Sequence, residues 1–223
     1  MKNQDSRRIN TVVRASEFAK KYQLDRPPYG VVVKRLHAAA LRLPELTTEQ
    51  SSAHSSWQSH SIVLDDLREE LRHGHLIKVS AVGRRILKGK PGAVTALKVP
   101  GKRASNTSIA ASGKAMAEFI KDDVPLFLEE GMPRDFLVRL RAATRKFVEC
   151  RRAIDQCLDR QKKATAALAR EIPPARNDVY ILKALLRERL LERDGAASDW
   201  ASAMRVGRRM GPPRHGKWKW PSS

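Results

Sequence analysis

The residues of this chain best suited to chemistry are cations, gathered in two stretches without aspartate or glutamate, 71–117 and 200–223. Each phosphate that a protein cation neutralises releases counterions, so such stretches favour binding of a polyanion such as DNA or RNA. The alternative is a solvated basic face that keeps the protein soluble. The candidate polyanion-binding residues are Arg72, Lys78, Arg84, Arg85, Lys88, Lys90, Lys98, Lys102, Arg103, Arg208, Arg209, Lys217, Trp218, Lys219 and Trp220.

The C-terminal stretch alternates tryptophan with lysine, as Lys217, Trp218, Lys219 and Trp220. An exposed indole can stack on an unpaired base, which contributes ~1–3 kcal/mol per base. It can also enter an anionic membrane interface. Docking of the two indoles onto the protein's own helices or onto a partner chain is the interpretation we favour.

No motif typical of an enzyme occurs. Five residues separate Gly83 from Gly89, and Pro91 stands where a phosphate-binding loop needs Ser or Thr to hold magnesium. His73 and His75 are two apart, so on a regular helix they point in different directions and cannot share one metal ion. We therefore predict a non-enzymatic protein with no cofactor and no metal.

Composition places the chain among basic helical proteins. It has 223 residues, a formal charge of +20, 41% hydrophobic residues and only 5% aromatic residues. Ala, Leu, Arg and Lys favour helix over strand. No secretory leader and no apolar run long enough to span a membrane is found, and we expect a cytoplasmic protein. Cys150 and Cys157 are too far apart on one helix for a disulfide, so we expect two buried, reduced thiols, the alternative being a cross-chain pair in a dimer.

The strongest structural signal is a seven-residue repeat in the second half of the chain. Its gaps alternate between four and three, which predicts one long helix over 133–172 with a narrow apolar seam, as in a coiled coil. Pro133 with Asp135 predicts the start of this helix and Pro173-Pro174 its end. The seam positions are Phe136, Leu140, Ala143, Phe147, Cys150, Ile154, Cys157, Gln161, Ala164 and Leu168.

A second seam with the same alternation predicts a long helix over 30–87. It passes through Pro44 without losing phase, which favours a kinked helix over a broken one. Beyond Leu71 the pattern shifts to His75, and we place the change at Gly74. The seam positions are Val32, Leu36, Ala39, Leu43, Leu46, Gln50, Ala53, Trp57, His60, Leu64, Leu67 and Leu71.

The fold class we predict is all-α: an antiparallel four-helix bundle of 30–87, 107–130, 133–172 and 175–192, with short terminal helices. Residues 88–108 form a loop, and Asn106, Thr107 or Ser108 caps the next helix. The predicted domains are a short helix with a linker (1–28), the helical bundle (29–207) and a basic Trp-containing tail (208–223).

Two segments resemble a family of uncharacterised all-helical bacterial proteins of about 200 residues. One is the junction Met132-Pro133-Arg134-Asp135-Phe136-Leu137, and the other is the terminal element with Trp200, Ala203 and Val206. The resemblance implies a helical fold over about residues 12–207. It implies no activity and no catalytic residue.

The function we predict first is a non-enzymatic interaction or structural protein that binds an unknown protein partner or associates with itself. The alternative is a sequence-nonspecific nucleic-acid-binding protein that uses the acid-free stretches. Neither hypothesis requires a transmembrane segment.

Overall fold

The computed structural model describes residues 3–22, 24, 27–192 and 195–204, and none of these is in a β-strand. The all-α class is therefore confirmed for this part of the chain. No helix in these ranges is both long and apolar enough to cross a membrane. The helices are α1 (Asn3–Lys21), α2 (Pro27–Glu69), a π-helical segment (Glu70–Leu76), α3 (Ile77–Ile86), α4 (Ala93–Ala96), α5 (Asn106–Phe119), α6 (Val124–Glu129), α7 (Phe136–Glu192) and α8 (Ala196–Met204).

The chain divides into two compact units. The terminal unit combines residues 1–49 with 163–223, and the central unit comprises residues 50–162. Each of α2 and α7 contributes residues to both units. The domain boundaries predicted after residues 28 and 207 rest on composition and stay predictions.

In the terminal unit, the core is formed by apolar side chains of α1, α2, α7 and α8. Arg35 of α2 binds Asp178 of α7 with two hydrogen bonds of 3.1 and 2.5 Å, and Arg42 binds Glu171 at 2.9 Å. Residue numbers rise along α2 while those of their partners fall along α7. The two helices are therefore antiparallel in this unit.

In the central unit, the core draws on α2, the π-helical segment, α3 to α6 and the first half of α7. The Cys150 thiol lies 3.4 Å from the carbonyl oxygen of His60, and Gln161 lies 3.5 Å from His54. The same inverse order makes α2 and α7 antiparallel here as well. Both thiols are free; Cys157 is buried as predicted, whereas Cys150 is only half-buried.

The seam of α7 is buried as its spacing predicts. Eight of its ten positions are buried, and the other two, Cys150 and Gln161, are half-buried. The predicted end of this helix at Pro173-Pro174 is wrong, because α7 continues to Glu192. The four-helix bundle is not confirmed, since its predicted third and fourth helices are a single helix.

The reason for this continuation is that the seam keeps its phase beyond the prolines, which are both exposed. Val179, Leu182 and Leu186 are buried one after another at gaps of three and four. Burying three such side chains contributes about 5–9 kcal/mol. A proline in a helix interior costs about 3 kcal/mol, so the two cost about 6 kcal/mol, an amount within the range that burial of the seam contributes, and burial therefore offsets it.

Helix α2 also runs through its proline, so the predicted continuity at Pro44 is confirmed. The phase change near Gly74 takes the form of the π-helical segment. A π-helix has a wider turn than an α-helix, and it brings Leu71 and Leu76, five residues apart, into the same core. Leu76 is fully buried, whereas His75, the position predicted for the seam, is half-buried.

The helix predicted over 107–130 is two helices, α5 and α6, separated by a turn over 120–123. Helix α6 ends before Gly131, whose φ of +85° favours glycine. The predicted cap of α5 is one position or more too late. Ser105 is the N-cap, and its hydroxyl accepts a hydrogen bond of 3.2 Å from the amide of Ser108.

Candidate polyanion-binding surface

The segment from Leu97 to Ala104 is held against α2 by Arg68. The guanidinium of Arg68 donates to the carbonyl oxygen of Lys102 at 2.9 Å and to that of Ala104 at 2.6 Å. It also donates to the side-chain oxygen of Asn106 at 2.7 Å. Arginine suits this task because its planar group carries five donors in a fixed geometry. We call residues 97–104 the basic loop.

Two further side chains fix the start of the basic loop. The Ser80 hydroxyl donates to the carbonyl oxygen of Leu97 at 2.6 Å, and Arg72 Nε donates to that of Pro100 at 3.3 Å. The Leu97 side chain is fully buried and lies against Gly83. A Cβ atom at Gly83 would stand 2.9 Å from Leu97, so glycine is needed for this approach.

The fixed loop presents three cations, Lys98, Lys102 and Arg103, all of which are exposed. Arg84 follows Ser80 by one helical turn, which places it on the side of α3 that holds the loop. None of these four has a carboxylate partner within 4 Å among the residues that the structure describes. We call these four side chains the basic surface.

The other candidate residues of the central unit fall into three groups. Lys78 and Lys88 are exposed, and no contact brings them to the basic loop. The guanidinium of Arg85 is paired with Glu130, and Lys90 lies 2.5 Å from Asp123, so both charges are already neutralised. Arg72 is half-buried and serves to hold the loop.

The candidates of the C-terminal stretch lie outside the described residues. These are Arg208, Arg209, Lys217, Trp218, Lys219 and Trp220. The predicted docking of the two indoles therefore stays a prediction.

A second group of cations, which the sequence does not predict, lines a groove of about 400 Å³ between α5 and α7. Lys114, Arg141, Arg145 and Arg152 line it together with Glu118 and Glu149. Lys121 binds the Glu118 carboxylate and lowers its pKa. Residues 121–150 carry equal numbers of positive and negative charges, so the net charge of this stretch gives no sign of a basic surface. The arginines nevertheless recur at helical spacing and share one face of the helix.

The histidines of the π-helical segment have different surroundings. His75 is half-buried, and burial lowers the pKa of its imidazole. His73 is exposed, and its Nε2 lies 2.8 Å from Nη1 of Arg72. In the ranges that the structure describes, no three side chains of His, Cys, Asp or Glu come together in a way that could hold a metal ion.

No protein-family model, curated protein or solved structure matches this chain. The resemblance to helical bacterial proteins stays a prediction. What the chain does is therefore inferred from its own residues and their geometry.

Proposed function

We propose that this protein binds nucleic acid through its sugar–phosphate backbone, without sequence preference, and that the basic surface of the central unit makes the contacts. The observation that carries the proposal is the anchoring of the basic loop by Arg68, Arg72 and Ser80. Because the backbone of this loop is already held, only the side chains of its lysines and arginine lose conformational entropy when they meet phosphates.

The charge around the basic surface supports the same function. The segment from 72 to 117 has ten cations and no acid, and only Arg85 and Lys90 are neutralised by described carboxylates. Nonspecific binding to DNA is supplied almost entirely by such cation–phosphate contacts. Contacts to phosphates carry no sequence information, which agrees with binding without sequence preference.

The test is binding of a fluorescent 20-base-pair duplex, and of one of its strands, at several salt concentrations between 50 and 200 mM. We expect log affinity to fall linearly with log salt, with a slope of about −0.9 per phosphate contacted. Changing Arg84, Lys98, Lys102 and Arg103 together to Gln should make that slope shallower by about four.

A matched control removes the same charge from the terminal unit, by changing the exposed Lys20, Lys34, Arg170 and Arg187 to Gln. This control should retain most of the slope. Equal losses in the two quadruple variants would mean that total charge, not the basic surface, drives binding. Absence of binding at 50 mM salt would refute the proposal.

Self-association is the second candidate function, and it is one form of the role predicted first from the sequence, an interaction or structural protein that binds an unknown partner or itself. One observation favours it: Ile62 and Val63 are adjacent on α2 and are 68% and 48% exposed. A second copy of the chain would cover them by the same heptad packing that forms the predicted antiparallel bundle. Sedimentation velocity of the protein and of an Ile62→Glu variant tests it, since only the unchanged chain should sediment as a dimer.

A further inference from the structure

The terminal unit contains a groove of about 420 Å³ between α1, α7 and α8. Its apolar side includes Val179 and Trp200, which are both buried. Known ligand sites have volumes of about 300–1,000 Å³ and combine an apolar lining with a few polar groups. The groove has the size and the mixed lining of a small-molecule site.

Four cations line this groove, namely Arg7, Arg8, Arg176 and Lys183, and no carboxylate of the described residues does. Arg8 is partly neutralised by Asp5 at 3.3 Å. Arg7 and Lys183 have no acidic partner among the side chains that the structure describes. The groove residues Arg176, Tyr180 and Lys183 all lie on α7. Because they are separated by four and three residues, they share one face of the helix.

Two aromatic side chains line this groove, of which Trp200 is buried and Tyr180 is exposed. Tyr180 is 60% exposed, which is unusual for a residue of this size beside a core. The guanidinium of Arg176 lies 6.0 Å from the centre of its ring, and Arg176 Nη2 donates to its hydroxyl at 3.1 Å. The arginine holds the ring by its hydroxyl, and the exposed area of the ring is available to a second planar group.

From this arrangement we propose that the groove binds a nucleotide, with the base stacked on Tyr180 and the phosphate held by Arg7, Arg176 and Lys183. The ligand is a free nucleotide or an unpaired nucleotide of a strand, because the two share this chemistry. Arginine and lysine are the side chains that recognise phosphate, and aromatic rings accept a base of any sequence by stacking. The site is distinct from the basic surface, whose residues belong to the central unit.

The protein's own C-terminal stretch does not fit as the occupant. Residues 205–223 carry six Lys and Arg residues and no acid, and like charges repel one another in a site lined by cations. An acidic peptide would satisfy the cations but would leave the exposed ring of Tyr180 without a stacking partner. A phosphorylated aromatic ligand satisfies both features.

The experiment is isothermal titration calorimetry of the full chain with four probes: AMP, ribose 5-phosphate, adenosine and a single-stranded deoxyadenylate decamer. We expect AMP to bind more tightly than ribose 5-phosphate or adenosine. Lys183→Gln should weaken AMP and ribose 5-phosphate alike. Tyr180→Ala should weaken AMP about fivefold to 150-fold, as expected for loss of one stacked base, and leave ribose 5-phosphate unchanged.

Three controls make the result specific. Tyr180→Phe retains the ring but loses the hydrogen bond from Arg176, so it should weaken AMP binding less than Tyr180→Ala does. Lys114→Gln and Arg145→Gln remove cations from the groove between α5 and α7, and they should not affect AMP. Melting curves by circular dichroism verify that each variant is folded. The quadruple variant of the basic surface should also bind AMP normally, so the two proposals can fail independently.

The proposal is overturned if AMP and ribose 5-phosphate bind equally, because the base would then make no contact. It is overturned as well if Tyr180→Ala leaves AMP binding unchanged, or if neither AMP nor the decamer binds at millimolar concentration. Binding of the decamer alone, with the same loss in Tyr180→Ala, identifies the ligand as a nucleotide within a strand.

Discussion

Helices α5 and α7 are in close contact at Gly113, where substitution by alanine should destabilise the protein in one background and stabilise it in another. A Cβ atom at Gly113 would lie 2.5 Å from Oγ1 and 3.1 Å from Cγ2 of Thr144. Thr144 is buried and cannot easily turn away, because its hydroxyl donates to the carbonyl oxygen of Leu140 at 2.8 Å. Alanine at position 113 must therefore displace either the threonine or the helix.

The change in the free energy of unfolding caused by Gly113→Ala is the sum of two opposing effects. Alanine is favoured over glycine in a helix interior by about 0.8–1 kcal/mol. Extra atoms in a packed core cost about 1–3 kcal/mol. Gly113→Ala should therefore lower the free energy of unfolding by up to about 2 kcal/mol. In a Thr144→Ala background the obstructing atoms are gone, so the same change should raise it by about 0.5–1 kcal/mol.

The assay is urea unfolding of the four proteins of this double-mutant cycle, followed by circular dichroism. The coupling between the two positions should be about 1–3 kcal/mol. Gly30→Ala is the matched control, because Gly30 lies on α2 with no atom within 4 Å of an added Cβ. It should be neutral or stabilising. If Gly113→Ala had the same effect in both backgrounds, the close contact with Thr144 would not control this interface.

Arg68 and His75 give further predictions. Arg68→Gln removes three hydrogen bonds, so amide exchange and tryptic cleavage within 98–104 should accelerate about tenfold to hundredfold. Arg139→Gln is the control, because Arg139 pairs with Asp135 and not with the loop, and it should leave both rates unchanged. Burial lowers the pKa of His75 from its ordinary 6.5, so the unfolded chain binds the proton more readily. The free energy of unfolding should fall as the pH drops below about 6.5. His75→Leu should flatten that decline in pH-dependent unfolding measurements, whereas His73→Leu, at an exposed position, should not.

The sequence predicts the helices well wherever an apolar seam determines them. Both long seams, the continuity of α2 through Pro44 and the end of α6 before Gly131 follow from spacing and from residue type alone. Burial of a seam depends on periodicity, which is a property of the sequence. The helix end predicted at Pro173-Pro174 is wrong, because a local cost of a few kcal/mol does not end a helix whose seam continues.

The division into two units could not be predicted from the same seams. The repeat runs along α2 and α7 without a slip at residues 49 and 163, where the units meet in the sequence. Which part of each helix belongs to which core depends on the shorter helices that pack beside it. Helices α1 and α8 cover the terminal parts, and α3 to α6 cover the central parts. Those contacts join residues that are distant in the sequence, and they cannot be predicted from composition.

The basic surface shows the same limit for electrostatics. An acid-free stretch identifies which residues carry charge, but acids from elsewhere decide which charges remain available. Glu130 and Asp123 come from the ends of α6, and they neutralise Arg85 and Lys90. Among the residues that the structure describes, no carboxylate pairs with Lys98, Lys102 or Arg103, and Arg68, which is outside the acid-free stretch, holds the backbone that carries them. Whether a cation stays available to a ligand therefore depends on contacts with residues that are distant in the sequence, and an acid-free stretch by itself does not reveal those contacts.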